Sequence, residues 1–210
     1  MKIQTLILGM LDTNCYVLTA DDSSKDCIII DTGLDAEPLV QLLKQQQLVP
    51  QALILTHGHV DHIAGINDLR QNWPQIKVIV HKDDADMLPD SVANLSTLVG
   101  VFFQAAPADI IIDTEDTLEF AGLSLKVLLT PGHTPGGISL YCPADNVIFD
   151  GDVLFSGSIG RTDFPGGDFD TLIASIKQQL LTLPVDTTVY PGHGPSTTIE
   201  YEIRYHQYLA

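Results

Sequence analysis

The sequence predicts a layered α/β fold in which β-sheets are covered on their outer faces by helices. Short apolar segments rich in Val and Ile alternate with segments that have helical periodicity. Along the chain, a strand-rich opening is followed by a mixed middle and a closing helix, an order that fits layered sheets. The 210 residues contain no Ser/Gly/Pro-rich linker, so we expect a single domain spanning residues 1–210.

The predicted strands are short apolar segments bounded by polar or turn-forming residues. Most of them are rich in β-branched Val and Ile, whose side chains suit the pleated surface of a sheet. They span residues 3–8, 15–19, 27–30, 52–55, 78–80, 110–112, 123–129, 138–141, 147–149 and 188–190.

Apolar residues also recur with helical spacing, and each of these patterns is one-sided, as expected of a helix that covers a sheet. The patterns span residues 39–43, 63–73 and 169–180. A last helix is predicted from Thr197, because Thr197 and Glu200 have the spacing of a capping box. Residues 88–107 have no steady period, and we expect them to form a loop over a site.

The chain is strongly acidic, with 10 Lys and Arg against 27 Asp and Glu, which gives a net charge of −17. Such a surface repels phosphate backbones and anionic lipid headgroups, whose binding depends on Lys and Arg. We therefore expect neither a nucleic-acid partner nor a membrane partner. With 45% hydrophobic and 18% charged residues, the chain is too apolar to be disordered. It has no apolar run long enough to span a bilayer.

The cysteines indicate a reducing compartment. Cys15, Cys27 and Cys142 are odd in number, and none belongs to a Cys-x-x-Cys pair. We expect reduced thiols that pack as small hydrophobic residues. The first residues are interrupted by polar side chains and lack the continuous apolar segment of a signal peptide. We therefore expect a cytoplasmic protein.

Residues that bind metals are concentrated in the segment 56–62, Thr-His-Gly-His-Val-Asp-His. A predicted strand leads into this segment and a predicted helix leads out of it. The spacing of His57, His59, Asp61 and His62 does not follow one face of a helix. It suits an irregular loop that folds around a metal ion.

Three more predicted strands end in a similar way. His133, Asp152 and His193 each follow an apolar strand and a glycine that permits a sharp turn. Because sites in layered α/β folds are built at the carboxyl ends of strands, we expect five histidines and two aspartates to converge. Imidazole and carboxylate ligands without thiolates suit zinc, iron or manganese. This ligand set is large enough for two divalent metal ions that share one carboxylate.

Together these motifs resemble those of the metallo-β-lactamase superfamily. The sequence H-x-H-x-D-H at 57–62 is followed by P-G-H-T at 131–134, G-D at 151–152 and P-G-H at 191–193. The resemblance implies a four-layer αββα sandwich, with two mixed sheets flanked by helices and the metal ions at one edge. It assigns His57, His59 and His133 to the first metal, Asp61, His62 and His193 to the second, and Asp152 to the bridge between them.

Within the superfamily, the sequence most resembles glyoxalase II-like hydrolases, through residues 130–136 and 157–164. The resemblance implies that a hydroxide bridging two metal ions, expected to be zinc, hydrolyses a small-molecule thioester such as S-lactoylglutathione. Asp61 would orient this nucleophile while it binds metal, so it is the predicted catalytic residue. We expect the short form of these enzymes, without the helical domain that holds glutathione in larger members.

Four further side chains have predicted roles. Asp31 ends a strand and either fixes the tautomer of a ligand histidine or forms a simple turn. Arg161 stands where glyoxalase II enzymes place a cation for the substrate carboxylate, with a loop salt bridge as the alternative. Tyr190 is a second candidate for placing the substrate. Asp150, next to the Gly-Asp motif, is expected either to support the metal ligands from behind or to be structural, rather than to bind metal itself.

Other reaction classes stay open on the sequence alone. A persulfide dioxygenase shares the Gly-Arg-Thr-Asp-Phe segment at 160–164 and would hold one iron through His57, His133 and Asp152. Lactone or β-lactam opening is a weaker alternative, because exported β-lactamases normally carry a signal peptide.

Overall fold

The structure, a computed structural model, describes residues 1–209 and contains two six-stranded sheets. The strands of the first sheet are Lys2–Leu8 (β1), Thr13–Thr19 (β2), Asp26–Ile30 (β3), Val49–Ile54 (β4), Lys77–His81 (β5) and Ile110–Ile112 (β6). They lie side by side in chain order. The pairs from β1 to β3 are antiparallel and those from β3 to β6 are parallel, so this sheet is mixed.

The second sheet is also mixed. Its strands are Thr117–Phe120 (β7), Leu123–Leu129 (β8), Ile138–Cys142 (β9), Val147–Gly151 (β10), Thr188–Pro191 (β13) and Thr197–Thr198 (β14), in the order β14-β13-β10-β9-β8-β7. Among the described strands of this sheet, only the neighbours β10 and β13 are parallel. A separate small hairpin pairs Leu154–Phe155 (β11) with Ser158–Ile159 (β12).

The helices are short. They are Glu37–Gln46 (α1), Val60–Ile63 (α2), Ile66–Asn72 (α3), Lys82–Ala85 (α4), Phe169–Ser175 (α5), which continues as a π-helical turn over Ile176–Leu180, and Ile199–Tyr205 (α6). Within residues 1–209, no helix is long and apolar enough to cross a membrane.

Three apolar clusters show how the layers stack, and β3 illustrates it. Ile28 and Ile30 point into the core between the sheets, where they join Leu140 and Phe149 of the second sheet. The alternate side chain Ile29 points the other way, into the core beneath α1 and α3. A strand buried on both faces is expected to be a continuous apolar run, which explains the Cys-Ile-Ile-Ile sequence of β3.

The third cluster covers the outer face of the second sheet. Leu172 and Ile176 of α5 and its π-helical turn, together with Ile199 of α6, pack on Ile148 and Val189. Helices therefore lie on both outer faces of the paired sheets. The predicted α/β fold, with two mixed sheets flanked by helices, is confirmed. The predicted buried, unpaired cysteines are confirmed as well.

Several elements differ from those predicted. Some elements of the structure were not predicted. The strand β7 lies at the edge of its sheet and has alternating polar residues, and β11, β12 and α4 have only two to four residues each, too few to give a periodic signal. The helical pattern at 63–73 is divided at Gly65 into α2 and α3. Asp61 and His62 consequently lie on a helical turn, and only His57 and His59 lie on the expected irregular loop.

The predicted capping box at the start of the last helix is wrong. Thr198 is the N-cap, and its side chain accepts a hydrogen bond from the Tyr201 backbone N–H. The Thr197 hydroxyl donates instead to Glu202, a carboxylate buried within the fold. Glu200 pairs with Arg204 one turn later, so the Thr-x-x-Glu spacing is coincidental here.

Candidate metal centre

Seven side chains meet at the edge of the sandwich where several strands end. His57 and His59 follow β4, and Asp61 and His62 lie on the adjoining turn of α2. The other members follow β8, β10 and β13, and they are His133, Asp152 and His193. All seven residues predicted as metal ligands belong to three overlapping groups whose ligand atoms lie within 4.8 Å of one another.

The first group contains His57, His59 and His133. The ring centroids of His59 and His133 lie 4.6 Å apart, and each is 4.8 Å from the centroid of His57. The ring nitrogens His59 Nδ1 and His133 Nε2 are 2.9 Å apart. Three imidazoles thus point to one place, as in a site for a divalent cation.

The second group contains Asp61, His62 and His193. Asp61 Oδ2 lies 3.2 Å from His193 Nε2 and 3.5 Å from His62 Nε2. A carboxylate oxygen and two imidazole nitrogens again converge from three different parts of the chain.

Asp152 lies between these two groups and forms the third group with His57 and His62. Its Oδ2 is 3.5 Å from His133 Nε2 and 3.6 Å from His193 Nε2. Its Oδ1 is 3.5 Å from His62 Nε2. This carboxylate therefore reaches ligands of both groups, which is the position required of a bridging ligand.

The donor atoms fit divalent cations. His57 Nε2, His62 Nε2 and Asp152 Oδ1 are buried and have no hydrogen-bond partner. A buried polar atom without a partner costs about 1–3 kcal/mol. Three such atoms in one cluster are accounted for if each donates a lone pair to a metal ion, and nitrogen with oxygen donors suits zinc, iron or manganese.

The first group is electrically suited to bind metal. Burial, reinforced by the neighbouring histidines, holds the pKa of His57 well below its usual range. Burial likewise lowers the pKa of His59 to about 3. Both imidazoles are therefore neutral at physiological pH, which is the form that binds a metal ion.

The second group concentrates negative charge. Burial lowers the pKa of His62, but Asp61, Asp152 and Asp31 outweigh it and raise the value to about 10. Burial is also the largest single influence on the pKa of Asp61, and it raises this pKa. The nearby histidines, including His62 and His193, together outweigh burial and hold the pKa of Asp61 well below its usual range. The Asp61 carboxylate is therefore ionised, and a cation beside it compensates its charge.

Asp31 contacts a ligand of the second group directly and a ligand of the first group through Thr56. Its Oδ2 accepts a hydrogen bond from the Thr56 hydroxyl at 2.6 Å and lies 2.9 Å from His62 Nδ1. Its Oδ1 accepts from the Thr56 backbone N–H at 2.8 Å. Thr56 Oγ1 in turn lies 3.1 Å from His57 Nδ1. Of the two roles predicted for Asp31, the contacts match the orientation of a ligand histidine, with Nε2 of His62 left free for metal.

Asp84 is a buried residue of the site that the sequence did not reveal. Its carboxylate accepts hydrogen bonds from the Gly58 N–H (2.9 Å), the Thr134 hydroxyl (2.7 Å) and the Gly136 N–H (2.7 Å). Burial raises the pKa of Asp84, and these three donors oppose the shift. Asp84 therefore ties the loop of His57 and His59 to the loop of His133.

Strand β2 supplies two more residues that were not predicted. The Thr13 hydroxyl donates to Asp61 Oδ2 at 3.1 Å. The Asn14 side-chain amide donates to the carbonyl oxygens of Pro191 and Gly194, both at 2.9 Å, and so holds the loop that carries His193. Most of these partners are backbone groups, for which a sequence carries no signal.

The remaining predicted residues occupy different surroundings. Arg161 borders the cavity beside the metal centre, its guanidinium pairs with Asp163, and its backbone carbonyl oxygen lies 2.7 Å from His133 Nδ1. Tyr190 stacks on Phe149 at a centroid distance of 5.3 Å and is not among the described residues that line this cavity. Its role in placing the substrate stays a prediction.

Asp150 is buried behind the site. Its Oδ2 accepts the Leu154 N–H at 2.9 Å. Burial, reinforced by the charge of Asp152, raises its pKa well above the usual range. Asp150 belongs to none of the three ligand groups. These contacts agree with the structural role predicted for it.

A cavity of about 490 Å³ opens above the ligands and is bordered by His59, Asp61, His133, Asp152 and His193. This volume lies within the usual range for small-molecule sites. Residues of the segment predicted to form a loop over a site, including Leu95 and Leu98, form part of its wall.

Comparison with known proteins agrees with this geometry. The sequence profile of the Metallo-beta-lactamase superfamily matches residues 8–193. The chain belongs to the metallo-beta-lactamase superfamily. Among curated superfamily members, it is 40% identical to the probable metallo-hydrolase YqgX of Bacillus subtilis, over 95% of this chain and 93% of that protein. It is 36% identical to the hydroxyacylglutathione hydrolase GloC of Haemophilus influenzae, over 100% of this chain and 98% of that protein.

Solved structures of the superfamily have the same architecture. BLEG-1, a B3 metallo-beta-lactamase, is 41% identical with a TM-score of 0.95, and all of both chains is covered. TTHA1623 in a di-iron-bound form is 34% identical with a TM-score of 0.85, covering 98% of this chain and 100% of that one. ETHE1 from Myxococcus xanthus is 28% identical with a TM-score of 0.80, covering 100% of this chain and 85% of that one. The protein is a metal-dependent hydrolase of this superfamily.

Proposed function

We propose that the protein hydrolyses thioesters with two metal ions held by the seven converging ligands. The observation that carries the proposal is the position of Asp152, whose two oxygens approach ligands of both groups. A carboxylate that reaches both ligand groups can be shared by the two metal ions of a hydrolytic site. The choice of a thioester is supported by the 36% identity to GloC, a hydroxyacylglutathione hydrolase, along the whole chain.

The metal ions and the surrounding residues have separate roles in this reaction. When bound, two divalent ions supply hydroxide at neutral pH by lowering the pKa of a water molecule toward about 7. Asp61 orients the nucleophile, and its Oδ2 is itself fixed by the Thr13 hydroxyl at 3.1 Å. Asp31, Thr56 and the Arg161 carbonyl hold the ligand rings. A thiolate is a good leaving group, so the reaction does not demand a strong general acid.

Zinc is the metal we propose, because imidazole with carboxylate donors and no thiolate is typical of hydrolytic zinc sites. Iron is the competing choice, since the similar protein TTHA1623 is known in a di-iron-bound form. Measuring zinc and iron per chain after expression in medium containing both metals distinguishes them.

The proposed activity is tested with purified protein loaded with zinc or with iron, using S-lactoylglutathione and simple thioesters. Two metal ions per chain and thioester cleavage are expected. Asp152→Ala is expected to lose metal and to lower kcat/KM by about a thousandfold or more, whereas Asp186→Ala, an exposed aspartate outside the site, is the matched control. Protein that holds two metal ions and cleaves no thioester would contradict the proposal.

A second candidate is an iron-dependent persulfide dioxygenase, favoured by the 28% identity to ETHE1. It would use one iron bound by His57, His133 and Asp152. An oxygen electrode separates the two functions. One iron per chain with persulfide-dependent oxygen uptake supports the dioxygenase, and two metals with no oxygen uptake support the thioesterase.

The similarity to BLEG-1 makes β-lactam opening the third activity to assay. Turnover of nitrocefin by the metal-loaded protein, at a rate above that of any thioester, would replace the thioesterase proposal.

A further inference from the structure

The cavity beside the metal centre has a largely apolar wall. The residues that line it include Leu95, Leu98 and Val99, together with Phe155 and Ile159 of the small hairpin. A cavity wall of aliphatic and aromatic carbon favours substrate groups that gain by leaving water, at roughly 25 cal/mol for each Å² buried.

Hydrogen bonds hold in place the loop that carries the leucines of this wall. The carbonyl oxygen of Asn94 accepts a hydrogen bond from the Val60 N–H at 2.8 Å, which links the loop to the helical turn of Asp61. The Asn94 side-chain amide donates to the carbonyl oxygens of Met87 (3.1 Å) and Phe103 (3.2 Å). Leu95 has φ 65°, an uncommon value for a leucine. The apolar wall is therefore built into the fold.

Arg161 is the only Lys or Arg that lines the cavity among the described residues. Its Nε and one terminal nitrogen each donate to Asp163, both at 2.7 Å. The guanidinium also lies over the ring of Phe164, 3.8 Å from the centroid. A bidentate pair of this kind is geometrically specific. Asp163 occupies two of the five N–H donors of Arg161 and places a negative charge beside them, which offsets the attraction of this cation for a substrate carboxylate.

We infer that the substrate group filling this cavity is uncharged and apolar, and that Asp163 determines this preference by pairing with Arg161. The inference rests on the proposed thioesterase function and specifies its substrate class. Glutathione, with its carboxylates and ammonium group, fits such a wall poorly. A thioester with an aliphatic or aromatic thiol fits it well.

Binding of two free thiols, benzyl mercaptan and glutathione, to the zinc-loaded protein tests the inference without turnover. Each probe offers the same thiol group, so a difference in Kd reports the cavity. Calorimetry is expected to show that benzyl mercaptan binds about tenfold more tightly or better, the effect of burying one aromatic ring. Equal or tighter binding of glutathione would overturn the inference while leaving thioester hydrolysis possible.

Kinetics with the lactoyl thioesters of the same two thiols tests it a second way. The benzyl thioester is expected to have the higher kcat/KM. Asp163→Asn, which frees Arg161, should shift the ratio of the two kcat/KM values toward the glutathione thioester by about fivefold, the scale of an exposed ion pair. An unchanged ratio would show that Asp163 has no part in selection. Cleavage of neither thioester would instead count against the proposed function, whatever the thiols' binding shows.

A pair of loop variants controls for general effects on the loop. Leu98 lines the cavity and is 66% exposed, while Val92 is 69% exposed on the same loop and does not line it. Leu98→Asn is expected to weaken benzyl mercaptan binding about fivefold through lost apolar contact, and Val92→Asn is expected to leave it unchanged. Equal effects of both variants would contradict a role for this wall.

Discussion

Asp31 and His62 form a buried pair in which Asp31 Oδ2 lies 2.9 Å from His62 Nδ1. The same oxygen accepts the Thr56 hydroxyl, which lies 3.1 Å from His57 Nδ1. One carboxylate behind the site thus contacts a ligand of the second group directly and a ligand of the first group through a hydroxyl. Its removal should loosen both groups at once.

Asp31→Asn is expected to weaken metal binding by about 10–100-fold, the usual effect of losing a carboxylate that orients a ligand histidine. The backbone at Asp31 has φ 53°, a left-handed conformation that asparagine also tolerates, so the variant should fold. Competition with a chromophoric chelator measures the affinity.

The matched control for this variant is Asp26→Asn, an exposed aspartate on the same strand β3 that accepts from Gln51. Its metal affinity should equal that of the unmodified protein. Equal affinities for the Asp31 and Asp26 variants would show that the buried pair is dispensable.

Asp84→Asn should destabilise the fold and the metal centre together. An asparagine keeps one acceptor oxygen, but its amide NH2 would face either the Gly58 N–H or the Gly136 N–H, each of which is itself a donor. Unpaired buried groups of this kind should lower the free energy of unfolding by about 3 kcal/mol. For a chain of this size that is a fall of about 10 °C in Tm.

Thermal denaturation of the metal-free and metal-loaded protein checks this prediction. The control is Asp86→Asn, an exposed aspartate just after α4 without a side-chain hydrogen bond in the described structure. A Tm for Asp84→Asn within 2 °C or so of the control would mean that the cross-loop hydrogen bonds contribute little.

Asp84 also shows where sequence reasoning reaches its limit. The seven converging ligands could be predicted, because each is a His or Asp placed directly after an apolar strand or at the helical turn that follows one. Asp84 sits on a four-residue helix in Lys-Asp-Asp-Ala, where nothing distinguishes it from its exposed neighbour Asp83. Its importance arises from backbone donors brought there by distant loops, and a linear pattern does not encode those partners.

The same contrast holds for the fold. The strand β3 is buried on both faces, so its apolar run gave a clear signal. The edge strand β7 has the sequence Thr-Leu-Glu-Phe, in which Thr117 and Glu119 are exposed, and it is defined by its pairing with β8 rather than by composition. The loop segment that lines the cavity was equally hard to predict, because the placement of Leu95 depends on its left-handed backbone and on the hydrogen bonds of Asn94.

Gly192→Ala should abolish metal binding and leave the rest of the fold little changed. A Cβ at this position would collide with Asp152 Oδ1 and lie 2.7 Å from His62 Cε1. The Asp152 carboxylate and the His62 ring would both have to move, and a displacement of this size is large compared with the tolerance of metal–ligand distances. Metal content per chain after gel filtration measures the effect.

Gly194→Ala is the matched control for Gly192→Ala. Gly194 has φ 75°, but an added Cβ would meet nothing within 4 Å. It should cost about 1 kcal/mol of stability through backbone strain and retain metal. If both variants bind metal equally, the close packing of Gly192 against the ligands is not required.

Asp109 and Arg70 anchor the far end of the loop that borders the cavity, and this anchor should depend on pH. Arg70 donates to the carbonyl oxygens of Ala106 (2.9 Å) and Pro107 (2.7 Å) and to Asp109 Oδ2 (2.9 Å). Burial raises the pKa of Asp109, but the Val78 N–H and the Arg70 guanidinium outweigh it and hold the pKa below its ordinary value of 3.8.

Because the folded-state pKa of Asp109 is lowered, its stabilising contribution is present above pH 3.8 and is lost as the pH falls below that value. Asp109→Asn should therefore be less stable than the unmodified protein at pH 6, and the difference should shrink on acidification. Denaturant unfolding of both metal-free proteins across this range measures it, with Asp186→Asn as an exposed control. A difference that stays constant with pH would show that ionised Asp109 does not anchor the loop.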